Sequence, residues 1–135
     1  MKKIVLDTSA LFTLIEEEPG PEDVEKIIQE TLDGQYQLFI SIIAKIELFY
    51  ISVQEQSLSI AKKRIQLIND LPIDTIDLTD DLIENIGKFK AKYSISFADS
   101  CIAGLANKLN AELVHKDPEF DNLKNQIKLR PLPYK

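Results

Sequence analysis

The apolar and polar positions switch repeatedly between a strand-like and a helix-like period. Residues 3–6 form a short apolar run closed by Asp7, as a buried strand does. From Thr8 to Glu16, Leu11, Phe12, Leu14 and Ile15 fall on one side of a short helix. Pro19-Gly20-Pro21 breaks the chain, Pro21 suits the opening of a helix over 22–32, and Gly34 ends it. A second strand is predicted over 36–40. Ser41 is placed to cap a helix reaching about residue 54, and Ser57 to cap another ending at Asp70. After Leu71-Pro72, residues 73–78 alternate as a strand. Thr79 then stands where it can cap a helix to about residue 93, with Asp80 and Asp81 complementing the dipole in its first turn. A helix over 97–109, a strand over 112–115 and a last strand near 127–132 complete the chain.

Strands separated by helices predict parallel pairing and an α/β sandwich. With no internal repeat, low-complexity tract or linker, one domain over 1–135 is expected. In such sheets the functional site lies beyond the carboxyl ends of the strands, near the point where strand order reverses.

Composition narrows the chemistry. The 135 residues are 44% apolar and 28% charged, a globular balance that needs neither disulfide nor structural metal to fold. A single cysteine, Cys101, excludes an intrachain disulfide and makes the cytoplasm the expected compartment. The single histidine, His115, together with that lone cysteine excludes nearly every zinc site. The most apolar stretch, 38–53, is interrupted by Lys45 and Glu47 and is too short to span a membrane. Asp7 cuts the apolar run after Lys2 and Lys3 too early for a signal peptide. The net charge is −6, with 4 basic and 11 acidic residues in 1–60 against 12 and 11 in 61–135. Bulk electrostatics therefore cannot hold this chain to nucleic acid; a local patch or metal ions would have to.

Four acids stand out by position. Asp7 follows the first strand and opens a helix, as an ordinary N-cap also does. Glu47 has Ile43, Ile46, Tyr50 and Ile51 as helical neighbours, so it borders the apolar face, where a glutamate can also snorkel to solvent. Asp99 shares a helical stripe with Ile102, Ala103 and Ala106, although an aspartate early in a helix also favours the dipole. Asp117 follows the strand ending at His115 and alone looks like a turn former before Pro118. Glu119 and Asp121 read as surplus solvated acids. Taken together, converging carboxylates raise one another's pKa unless a cation neutralises them. All-oxygen donors suit Mg²⁺ or Mn²⁺, which can activate water and stabilise charge building on a phosphate.

At these residues the chain resembles the PIN-domain ribonucleases, most of all the VapC-type toxins. The likeness rests on IVLDTSALFTL at 4–14, SIIAKIELF at 41–49, SISFADSCIAGL at 94–105 and ELVHKDPEF at 112–120. It implies a three-layer α/β/α sandwich with a central parallel sheet, and a metal-dependent endoribonuclease in which Asp7, Glu47, Asp99 and Asp117 hold Mg²⁺ or Mn²⁺. Thr8 or Ser9 could add a hydroxyl. It further implies an RNA substrate, a homodimer and an antitoxin that blocks the site. The chain departs from the family at His115, where a threonine or serine usually stands two residues before the fourth acid.

Two other functions are compatible with an acidic pocket. A receiver-like Mg²⁺-binding signalling domain would draw on Asp74 or Asp77 and on Lys116, but no acidic pair precedes Asp7. A non-catalytic RNA-binding protein of the same fold would draw on Lys88 and Lys92, which share a helical face, or on Lys124, Lys128 and Arg130. Phe49, Tyr50 and Val53 extend an isoleucine-rich helix and are candidates for self-association.

Overall fold

The apolar runs Ile4-Val5-Leu6, Leu38-Phe39-Ile40 and Leu113-Val114 are buried, because each lies in a strand covered on both faces. The computed structural model describes residues 1–16 and 21–132; the expected break at Pro19-Gly20 lies outside the described residues. Among these residues, five strands form one sheet: β1 (Lys2–Leu6), β2 (Tyr36–Ser41), β3 (Asp74–Ile76), β4 (Glu112–His115) and β5 (Lys128–Pro131). Their order is β3-β2-β1-β4-β5, and every pair is parallel. In register, Leu6 faces Val114 and Val5 faces Phe39.

Among the described residues, six α-helices connect the strands: α1 (Thr8–Glu16), α2 (Pro21–Leu32), α3 (Ile42–Glu55), α4 (Leu58–Asn69), α5 (Ile83–Lys92) and α6 (Phe97–Leu109). The chain steps from β1 to β2 and β3 in one direction, then returns across the sheet to β4. Right-handed crossovers in opposite directions place helices on both faces, giving the three-layer α/β/α sandwich. The strand order reverses between β1 and β4, so a crevice opens at their carboxyl ends. There the backbone N–H of Asp7 donates to the Val114 carbonyl at 3.1 Å, tying the two strand ends together.

Capping follows the sequence closely. The hydroxyl oxygens of Ser41, Ser57 and Ser96 accept the N–H groups of Ile43, Ile60 and Asp99, starting α3, α4 and α6. Asn110, at φ 53°, closes α6 in the left-handed region. Thr79 departs from expectation. Its hydroxyl donates to Asp81 and caps no backbone N–H. Asp80–Leu82 accordingly form a 3₁₀ turn, and the α-helix begins only at Ile83. The strand expected over 73–78 shortens to Asp74–Ile76 because it pairs on one side only, with β2.

Candidate functional site

Four sequence elements deliver acids to the crevice. Asp7 leaves the end of β1 and is 2% exposed. Its Oδ1 accepts the Ala10 N–H at 2.8 Å, so it does cap α1. The Ser9 hydroxyl lies 2.7 and 2.8 Å from its two oxygens, and Ser9 Oγ also accepts the Lys116 N–H at 2.8 Å. One serine thus fixes the first carboxylate and ties it to the segment leaving β4. Glu47 comes from α3, which packs on α1 and α6; its Oε1 accepts the Thr8 hydroxyl at 2.6 Å. The hydroxyls of Thr8 and Ser9 both face carboxylates.

Asp99 sits in the first turn of α6, held there by Ser96. Asp117 follows β4 and caps a 3₁₀ turn over Pro118–Leu123, its Oδ1 accepting the Glu119 N–H at 2.9 Å. All four acids predicted from the sequence line one open cavity of about 400 Å³. They are not equally close. Among the described residues, ligand oxygens of Asp99, Asp117 and Glu119 lie within 4.8 Å of one another. Asp7 and Glu47 stand beside this trio on the cavity wall.

Glu119 corrects the sequence-based expectation of a solvated acid. It is half-buried, lines the cavity, and accepts the Ser96 N–H through Oε1 at 2.9 Å. The signal available was the Asp117-Pro118-Glu119 triplet, in which a turn brings two acids to the same side. Asp121, by contrast, is exposed, as expected.

Electrostatics mark the cluster as short of positive charge. Burial pushes the Asp7 carboxyl up to about 7, against the lowering effect of Ser9 and Ala10, and the charges of Asp99 and Asp117 add to the rise. Asp99 is also raised to about 7, first by burial, then by Asp117, Glu119 and Glu47. Among the described residues no lysine or arginine lines the cavity. Phe12 and Ile51 supply an apolar wall beside the acids.

Other candidates fall elsewhere. Asp74 and Asp77 belong to the edge strand β3 and the segment after it, with β2 between them and β1, and both are exposed. The geometry therefore gives the receiver-like arrangement no acceptor at the crevice. Lys124 and Lys128 line a separate pocket of about 230 Å³ at the amino ends of β4 and β5, across the sheet from the acids. Arg130 is engaged with Glu112, Nε to Oε1 at 3.1 Å. That late basic group does not form a track into the crevice.

A PIN-domain family model matches residues 4–126. Among solved structures, the chain is similar to VapBC2 from Rickettsia felis bound to a DNA fragment from its promoter (TM-score 0.80, 20% identity, 97% of this chain and 99% of that one). It is similar to DNA-bound VapBC from Salmonella typhimurium (TM-score 0.77, 20% identity, 97% and 98%). A third is VapC20 from Mycobacterium tuberculosis, a sarcin–ricin loop cleaving toxin (TM-score 0.70, 14% identity, 95% and 99%). At these identities the likeness is one of fold. No curated protein sequence matches the chain.

Proposed function

The chain belongs to the PIN-domain family, and from that premise we propose that it is a metal-dependent endoribonuclease hydrolysing RNA phosphodiester bonds. The observation that carries this reading is the convergence of five carboxylates on one cavity with no lining lysine or arginine among the described residues. Such a cavity is costly unless a cation occupies it.

The donor set fits a hard divalent ion, Mg²⁺ or Mn²⁺, because every group it offers is oxygen. Asp99, Asp117 and Glu119 would hold the ion, with Asp7 and Glu47 completing the acidic wall. When bound, the ion supplies water activation and neutralises charge developing at the phosphate. The protein's own contribution is placement. Ser9 and Ala10 fix the Asp7 carboxylate, Thr8 fixes Glu47, and Phe12 and Ile51 form an apolar wall on one side. An acidic cavity repels a phosphodiester by itself, so RNA engagement and cation binding are coupled.

The same reading makes the protein the toxin of a toxin–antitoxin pair, with an antitoxin protein as partner. It is supported by the similarity to VapBC structures. Homodimerisation is part of the proposal. On α3, Ile46, Tyr50 and Val53 lie at i, i+4 and i+7 and are 50%, 45% and 37% exposed, an apolar stripe on one face. Phe49 is half-buried and belongs to the edge of that stripe. Cytoplasmic residence is proposed from cysteine usage; among the described residues no helix is long and apolar enough to cross a membrane.

The test is direct. A single-stranded RNA labelled at both ends is incubated with the purified chain in Mn²⁺ and in EDTA. Internal fragments in Mn²⁺ alone are expected; trimming only from an end, or equal cleavage in EDTA, would contradict the reading.

A further inference from the structure

His115 ends β4 and is wholly buried, two residues before Asp117. Its ring meets Phe120 edge-on, with centroids 5.2 Å apart. Nδ1 accepts the Asp117 N–H at 3.1 Å, which leaves the proton of the neutral ring on Nε2. From there the hydrogen bonds run in sequence. Asp117 Oδ1 accepts the Glu119 N–H at 2.9 Å. Glu119 Oε1 accepts the Ser96 N–H at 2.9 Å, and Ser96 Oγ accepts the Asp99 N–H at 3.0 Å. One unbroken line therefore joins the imidazole to all three acids of the tight cluster.

Nε2 makes no hydrogen bond among the described residues although it is buried. An unmade bond of this kind is destabilising. A phenylalanine would keep an aromatic edge on Phe120 and carry no unpaired N–H, so the ring contact is not what distinguishes a histidine here. Its distinguishing contribution is the Nδ1 acceptor. We propose that His115 is the positioning residue of the acidic cluster, setting the Asp117 backbone from which Glu119, Ser96 and Asp99 are placed in turn. The imidazole is not a ligand, since its one acceptor nitrogen is occupied by the Asp117 amide. The inference rests on the metal-site reading of the cavity.

The experiment compares wild type, His115→Asn and His115→Phe as full chains. Asparagine keeps an acceptor oxygen at the Nδ1 position and can accept from the i+2 amide; phenylalanine keeps the ring and loses the acceptor. Two quantities are read: hydrogen exchange at the Asp117 amide in metal-free protein, and Mn²⁺ affinity by electron paramagnetic resonance. His115→Phe is expected to speed Asp117 exchange about tenfold and weaken Mn²⁺ binding about tenfold, the scale for loss of a group that orients a ligand. His115→Asn should restore both to within about threefold of wild type. Should the phenylalanine variant fail to fold, His115→Gln, whose amide reaches past the Nδ1 position, is expected to show the same losses. Wild-type exchange in the acceptor-displaced variants, or an asparagine variant as impaired as they are, would overturn the proposal. If wild type binds no Mn²⁺ while exchange follows the expected order, the metal reading fails and the positioning of Asp117 stands.

Discussion

Asp7 combines two roles that look exclusive in the sequence: it caps α1 through Ala10 and also forms part of the acidic wall. Its burial has a consequence for stability. Asp7 and Asp99 have folded pKa values near 7, above their ordinary 3.8, so the folded chain binds protons more tightly than the unfolded chain between those limits. Their contribution to stability in EDTA is therefore fully present below about pH 4 and is lost as pH rises through about 7. Thermal melts in EDTA should show a lower midpoint at pH 8 than at pH 5.5, and millimolar Mn²⁺ should restore it. Asp7→Asn keeps the shape and removes the charge, so in EDTA at pH 8 it should be more stable than wild type by about 1–3 kcal/mol. A less stable Asp7→Asn under those conditions would contradict a charge-starved site. At this scale, four acids were legible because strand ends and helix faces constrain where side chains point. Glu119 was not, since an acid beside a proline in a turn is usually solvated; the Asp117-Pro118-Glu119 triplet hints at a shared side, but the contact with Ser96 that holds Glu119 there is tertiary.

Elements set the distances between those acids. Helix α6 carries Asp99, and its position depends on close contact with α5. A Cβ built on Gly104 would lie 2.6 Å from Ile86 Cγ1 and 2.9 Å from Ile86 Cα, too near for backbone to tolerate. Gly104→Ala must push α5 from α6, at a cost of about 1–3 kcal/mol. Chemical denaturation should show a lowered midpoint with an unchanged slope; wild-type stability would mean that the two helices can separate freely. Periodicity predicted both helices but not their spacing, because a lone glycine inside a helical pattern carries no record of what it faces. The start of α5 departs from the sequence pattern for a related reason. Thr79 has the residue type of a cap, yet its hydroxyl donates to Asp81, and the backbone tightens into a 3₁₀ turn.

At the scale of the sheet, the five cavity acids lie at its carboxyl end, and Lys124 and Lys128 line a pocket at its amino end. The parallel order β3-β2-β1-β4-β5 gathers the cavity acids by bringing the ends of β1 and β4 together. The α/β architecture was readable from the alternation of strand and helix; strand order was not, since it depends on long-range pairing. The exposed stripe of Ile46, Tyr50 and Val53 likewise carries a prediction at this scale. Sedimentation at tens of micromolar should show a dimer, and Ile46→Asp, a change at an exposed position, should shift it to monomer without lowering its helix content. A wild-type monomer at that concentration would remove α3 as an interface.

The central claim is that converging carboxylates hold the ion on which RNA cleavage depends, and Asp99 tests it best because it belongs to the tight trio and feels the charges of Asp117, Glu119 and Glu47. The measurement is cleavage of single-stranded RNA in Mn²⁺ by wild type and Asp99→Asn, with an EDTA control and circular dichroism to establish folding. The amide retains the shape but not the charge, so a folded Asp99→Asn should lose at least about 100-fold in rate. Wild-type cleavage by the folded variant, or undiminished cleavage by wild type in EDTA, would contradict the account.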